Sequence, residues 1–576
     1  MDGKSWKNNY KELMTKKSKF KYLSYPSVFI GYPRLFLLPA MVLGRAVSFF
    51  LGFLRAMLII LFSAALGFSA TYYVDPGGNN SNSGTTLGQA WLTIQKAANT
   101  VTAGSTILIS SGTYNEQVTI TCAGTAINPI VFKGATSGNP PVIDGQNTRL
   151  WCIYVDGTSS PGDKYITVEN IKMQNGFTGA LKIGMADHVT IRSCIALNSG
   201  EYNFFTAYAW YPLFENCQTY GAVNQHGIYF SNSNKYPTAR GNIIYNNGGC
   251  GIHNNGDVSM TGRAGADGIN HNGLIEKNII YNNSTKGGAA INMDGCRDYV
   301  VKNNLLYNNK AGGITSFITD GASSGNNKFY NNIVIFENAV GRSGINLQSS
   351  PGNTVSNNIF INGISTNRGC LEYDAASLVG LTFSNNTLYQ QNSSSNVIFN
   401  GSSMSTLTAW QTATGKGAGC LFALPSFVNS AAGDYHSTVS SIVIGTGLTL
   451  SEVTDDLDGN LRPSSGYDTG CYQYGSSTTP ITTAATANPL NQILVYPNPY
   501  DSRISDSFKL IKIPSNVNVK VINAAGGLLR EYSNVSGTLS WDGKDSSNTQ
   551  VSRGIYYIVM EDTTSNKRVI KMALLK

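Results

Sequence analysis

The chain is poor in charge: Asp, Glu, Lys and Arg together make up 13% of its 576 residues, against ~25% in an ordinary soluble domain. What excess exists sits at one end. Residues 1–69 hold ten Lys or Arg and two acids, and the remainder carries 31 residues of each sign. That balance leaves no basic surface for nucleic acid, which is excluded as a partner. Cysteine pairs are missing too. None of the nine cysteines (122, 152, 194, 217, 250, 296, 370, 420 and 471) lies in a CxxC, which removes zinc ribbons and thioredoxin-like motifs. Their odd number leaves at least one unpaired, and steps such as Cys194 to Cys217 suit small buried residues stacked inside a repeat. The middle of the chain also lacks a helical period and has no room for crossover helices between its short strands, so helical repeats are excluded.

What is abundant is Gly (61), Tyr (31) and, visibly, Asn, Ser and Thr, a composition for strands and tight turns. An all-β chain of more than one unit is expected at this length. The N-terminal basic residues run into Ala56–Phe68, an apolar stretch bounded by Arg55. Residues 1–69 are therefore read as a basic leader and signal peptide, cleaved after Ser69. The alternative is an uncleaved anchor that recruits Ala46–Leu54, at ~3 kcal/mol for Arg55 in mid-membrane. Met41 is an alternative start.

From about residue 240 the text repeats: GNIIYNNGG, KNIIYNNST, NNLLYNNKA, NNIVIFENA, NNIFINGIS, NNTLYQQNS. The Asn before each aliphatic pair falls at 242, 278, 304, 332, 358 and 386, in steps of 36, 26, 28, 26 and 28. Such a period means a solenoid of short strands. Asn tolerates left-handed turns, and equal residues on successive coils can ladder their amides. The longer first step accommodates an excursion, Asn254 to His271. A second series lies half a turn away, with Ile228, Ile252, Ile291, Ile314 and Ile345 as inward residues. Side chains alternate along a strand, so one outward column is Tyr229, His253, Asn292, Thr315 and Asn346, and the next is Ser231, Asn255, Asp294, Phe317 and Gln348. Taking Leu181 as inward puts Lys182 in the first column. Residues 91–101 form an amphipathic helix candidate to cap the N-terminal end, and Phe427 to Tyr474 would close the other.

The opening Tyr72-Tyr-Val-Asp-Pro-Gly-Gly, Thr93-Ile-Gln-Lys-Ala-Ala, Gly112-Thr-Tyr-Asn-Glu-Gln-Val and Pro141-Val-Ile-Asp-Gly resembles secreted right-handed β-helix proteins of the pectate-lyase superfamily. The closing Asp456-Leu-Asp-Gly-Asn-Leu-Arg462-Pro and Tyr467-Asp-Thr-Gly-Cys-Tyr resemble their terminal coil. The resemblance implies a right-handed, single-stranded parallel β-helix over 70–474. Residues 475–488 form a Ser/Thr/Ala-rich linker. Residues 489–576 alternate as strands of a small Ig-like β-sandwich, similar to FlgD-like modules and to type IX secretion sorting domains through Val495-Tyr-Pro-Asn-Pro, Trp541-Asp-Gly-Lys-Asp and Gly554-Ile-Tyr-Tyr. That likeness implies a secreted, extracellular protein, retained at the cell surface in one version, with secretion machinery as a partner.

A long face of regularly spaced side chains suits an extended polysaccharide, and the resemblance implies that substrate crosses the outward columns. Substrate-binding candidates are His226, Tyr229, Asn255, Asn292, Phe317 and Asn346, the aromatic ones for stacking on sugar rings. For β-elimination on a uronate, a base removes the proton beside a neutralised carboxylate. Catalytic candidates are Lys182, Arg342 and His253 as the base, with Asp294. The resemblance implies Ca2+ as a cofactor, held by Asp257, Asp267 and Asp294, although Met293-Asp294-Gly295 lacks the adjacent aspartates of the family-nine type. Paired carboxylates of a glycoside hydrolase, Asp267 with Asp294, are one alternative. A non-catalytic glycan-binding or adhesion protein is the other.

Overall fold

A computed structural model describes residues 70–136, 138–336, 342–363, 368–391, 396–475, 490, 493–496, 500–503, 507–524, 526–563 and 567–575. The expected leader and linker lie outside the described residues, apart from Gly475. From Thr106 to Phe399 the chain winds through three sheets in fixed order, one strand in each per coil, with Thr71–Val74 added at the start of the first. Each sheet has twelve described strands. The first runs from Thr71–Val74 to Thr382–Ser384, the second from Thr113–Tyr114 to Leu421–Phe422, and the third from Val118–Ile120 to Met404–Thr406. Pairing is parallel throughout, except where Met404–Thr406 turns back antiparallel on Asn396–Phe399.

The alternation that sequence implied sets this register. Ile228, Ile252, Ile291, Ile314 and Ile345 align strand on strand in the third sheet, and none is accessible to solvent. Inside the coil, Asn side chains replace apolar packing along one edge. Asn242 Nδ2 donates to Asn278 Oδ1, and the pattern continues through Asn304, Asn332, Asn358 and Asn386, each step at 2.9 or 3.0 Å. The Asn-Asn pairs divide two tasks: Asn303, Asn331, Asn357 and Asn385 take left-handed backbone, with φ from 50 to 61°, while the Asn that follows joins the buried ladder. All nine cysteines are free thiols, and all but Cys122 are buried.

The N-terminal end is covered by a short helix, Ile94–Ala98, started by Thr93 Oγ1 accepting from Lys96 N. Its Ile94, Ala97 and Ala98 join the coil interior. At the far end, helix Leu407–Thr414 inserts Leu407 and Trp410 beside Phe383. Residues 427–474 therefore do not act as the end plug expected of them; they lie along the outer face of the second sheet. The reason is in the repeat itself. In IIYNN and LLYNN two aliphatics stand side by side, so one of each pair faces outward and needs cover. Ile243, Ile279, Leu305, Ile333 and Ile359, with the stacked Tyr245, Tyr281 and Tyr307, are buried there against Tyr435, Val443, Leu457 and Tyr472. Arg462, in the run that resembles a terminal coil, is buried there, donating to Asp468 O, Gly470 O and Asn303 Oδ1.

The C-terminal strands Leu494–Tyr496, Phe508–Asn523, Leu528–Trp541, Gly554–Glu561 and Lys567–Leu574 hydrogen bond into one antiparallel network around a separate core that includes Trp541. The segments FKLIKI and VNVKVIN form one long strand, Phe508–Asn523, whose register against Leu528–Trp541 shifts between Ile513 and Val519.

Candidate functional site

The outward columns of the third sheet are built as alternation required. Lys182 pairs with Tyr154 on one side and Phe205 on the other, and the column continues through Tyr229, His253, Asn292, Thr315, Asn346 and Glu372. Beside it run Asp156, Gly184, Ala207, Ser231, Asn255, Asp294 and Phe317. His253 and Asp294 thus stand on adjacent strands of one wall. Lys182, however, is four strands from Asp294, about 19 Å at the spacing of paired strands. The expected catalytic residues are therefore spread along the wall.

Lys182 is the centre of one cluster. Its Nζ lies 4.7 Å from the ring centroid of Tyr154 and 5.9 Å from that of Trp151. Burial lowers the Lys182 pKa, while Asp156 acts in the opposite sense. Asp156 is held by the amide and hydroxyl of Thr158, at 2.8 and 2.6 Å. Gly184 keeps the space above this group open, since a Cβ there would meet Tyr154 Oη at 2.9 Å. Tyr202, Phe205 and Tyr229 continue the apolar wall, with ring centroids 5.1 to 5.2 Å apart. Trp151, Tyr154, Asp156, Tyr202 and Phe205 were missed in the sequence. Carrying the register one coil upstream, through WCIYVD, is the signal that finds Tyr154 and Asp156.

The other expected bases are differently placed. His253 Nδ1 accepts from Asn292 Nδ2 at 2.9 Å, so its lone pair is already engaged. Arg342 is exposed and donates to Gly288 O at 2.8 Å. Asn346 accepts from Gln348 at 2.7 Å, Asn255 is half-buried beside Asn232, and Phe317 is half-buried at the end of its strand.

The three carboxylates expected to hold calcium do not form one ligand set. Asp294 is only 3% exposed, and its Oδ1 accepts from Thr319 N at 2.9 Å. Burial, aided by Asp320 and Asp257, raises its pKa to about 6. Asp257 Oδ1 serves the amide and hydroxyl of Ser259. Asp267 is exposed and turned to His271, with 2.8 Å between Oδ2 and Nε2. Among the described residues no group of three or more His, Cys, Asp or Glu side chains is arranged to hold an ion.

The excursion forms the second wall. Met260 and Ala266, like Phe205, pack against Met185, Ala207 and Tyr208. Arg263 latches it: its guanidinium meets both oxygens of Asp187 at 2.6 and 2.5 Å, donates to Tyr208 O at 2.7 Å and lies 3.8 Å from the Trp210 ring. Arg263 and Asp187 are 76 residues apart, and no sequence pattern joins them.

Residues 153–264 match the family described as right handed beta helix region, and residues 494–573 match secretion system C-terminal sorting domain. The chain is similar to pectate lyase PEL9 of Emericella nidulans, 40% identical over 88 residues, which cover 15% of this chain and 20% of that protein. It thus spans about a fifth of the length of this curated relative. Among solved structures, pectate lyase Pel9A matches with a TM-score of 0.44 at 17% identity, covering 70% of this chain and 96% of that one. A rhamnogalacturonan lyase matches with 0.39 at 16%, covering 55% and 87%. Among the described residues no helix is long and apolar enough to cross a membrane. The chain is a right-handed parallel β-helix protein that ends in a type IX secretion sorting domain and is destined for the cell surface or the medium.

Proposed function

We propose that the wall around Lys182 is the active site of a polysaccharide lyase that cleaves uronate-containing chains by β-elimination. The observation that carries this reading is an amine sunk between Trp151 and Tyr154 on an open, sugar-length wall. Burial favours its uncharged form, the form that accepts a proton. Lys182 Nζ takes the proton from the carbon beside the uronate carboxylate, the electron pair forms the new double bond, and the glycosidic oxygen leaves from the neighbouring carbon and takes a proton from water. The aromatic rings of Tyr202, Phe205 and Tyr229 hold sugars by stacking along the wall. The stretch shared with a pectate lyase supports the substrate class. Asp294, Asp257 and Asp267 serve Thr319, Ser259 and His271 separately and do not converge on one ion. Export machinery is the second partner, through the sorting domain.

Incubation with pectate, alginate and related polymers tests the proposal. Unsaturated products read by ultraviolet absorbance are expected from the wild type, and Lys182→Ala should lower their rate by roughly a thousandfold or more with the melting temperature kept. Turnover abolished by EDTA and restored by calcium would reveal an ion that these carboxylates do not explain. A hydrolase has one observation in its favour, the raised pKa of Asp294 with Asp257 and Asp320 beside it. New reducing ends without unsaturation would move the assignment there. Glycan binding without cleavage of any polymer would make the protein an adhesin.

A further inference from the structure

His226 and His253, two of five histidines in the chain, stack on adjacent coils with ring centroids 4.4 Å apart. Cys250 N donates to His226 Nδ1 at 3.0 Å. A backbone amide only donates, so that Nδ1 carries no proton. Asn292 Nδ2 donates to His253 Nδ1 at 2.9 Å, and Asn292 Oδ1 takes the Thr315 hydroxyl. Burial keeps both rings uncharged, with His253 lowered to about 3 and His226 also displaced downward by burial and by His253. With Nδ1 used as an acceptor in both, the one remaining proton of each ring is on Nε2. Neither Nε2 has a partner among the described residues, and neither is sealed from solvent.

We infer that the His226–His253 pair is a carboxylate-recognition subsite, two fixed and uncharged Nε2–H donors that take the acid group of a uronate next to the one at Lys182. This rests on the lyase reading above. A pair of N–H groups that can only donate matches a group that only accepts, and the ionised acid of a uronate is such a group, with two oxygens to offer. Neutral donors in an aromatic surround also cost less to strip of water than an imidazolium would. Tyr229 lies against both rings, with centroids 5.2 and 4.8 Å away. The pair does not serve the reacting sugar. His226 is two strands beyond Lys182, about 10 Å along the wall, and the Lys182 amine leans towards Trp151 and Tyr154 on the side away from it. A proton on Nε2 also bars both rings from binding a metal through that nitrogen.

The test uses the full chain, an oligogalacturonide and its methyl ester, with affinity measured by calorimetry. Wild type is expected to prefer the free acid by roughly tenfold or more. His226→Phe with His253→Phe should keep the stacked rings, lose the preference and raise KM with kcat retained. His226→Gln with His253→Gln restores an N–H donor and should recover most of the preference, which separates donor loss from misfolding. Side-chain 15N NMR of wild type should give the Nε2–H tautomer for both rings. An acid preference that survives the Phe pair, or an Nδ1–H or imidazolium signature, overturns the subsite while leaving the lyase reading intact. A wild type that binds neither oligomer overturns both.

Discussion

Asp294 carries opposing demands in one side chain. It anchors Thr319 N, yet burial near Asp320 and Asp257 lifts its pKa to about 6. The sign follows from proton binding: between the ordinary carboxylate pKa and 6, the folded chain holds a proton that the unfolded chain has released. Stability from this group is thus present in acid and falls as pH rises through 6. Asp294→Asn keeps the acceptor for Thr319 and removes the ionisation. It should be about 2 kcal/mol more stable than wild type at pH 8 and close to equal at pH 4, by denaturant titration at the two pH values. A penalty at both pH values would mean that the acid proton itself is needed locally. At this scale sequence read the wall well: alternation alone put Lys182, Tyr229, His253 and Asn292 in one column. It did not supply the distance that parts Lys182 from Asp294, which is set by the four strand spacings between them and not by their residue types.

Repeat steps near 26 and 28 residues made the strand elements legible, since Asn recurs where the coil turns. The two roles of Asn were not separable there, as left-handed and laddered residues are neighbours in the same Asn-Asn text. Their energetics differ. Asn304→Ala strips the partners of Asn278 N and Nδ2 and of Ile275 O, all buried, and should cost about 3 kcal/mol. Asn282 has φ 55° and is half-buried; with Gly at ease in that conformation, Asn282→Gly should change stability by less than about 0.5 kcal/mol. Urea midpoints of the two variants check the contrast, and equal losses would deny the ladder its part. The excursion shows in the sequence as a long step that carries Asp257 and Asp267. Its latch depends on Arg263 meeting Asp187 across coils, a contact that periodicity does not encode.

At the scale of the whole molecule, the sorting domain is docked on the outer face of the second sheet. Tyr496 lies 5.6 Å from Tyr281, Lys509 Nζ is 5.4 Å from the Tyr307 ring centroid, and Gln218 Nε2 donates to Val495 O at 3.0 Å. Together with residues 427–474 the domain covers Ile279, Tyr281, Leu305 and Tyr307, an apolar surface of a kind that soluble proteins avoid exposing. The linker composition gave no hint of docking, because a flexible connection suits a tethered domain equally well. The contact is not optimised for permanence: the Tyr245 and Tyr281 hydroxyls are buried with no partner among the described residues, which costs stability in the docked form and nothing in water. Tyr281→Phe should therefore tighten docking by about 1 kcal/mol, whereas Tyr281→Ala with Tyr307→Ala should release the domain and leave the coil core intact, because both rings lie outside it. Limited proteolysis within 475–488 and the radius of gyration from small-angle scattering report the two outcomes. The Phe variant should be cut more slowly than wild type, and the Ala pair cut faster and more extended. A Phe variant cut faster than wild type would mean that the Tyr281 hydroxyl holds the domain in place.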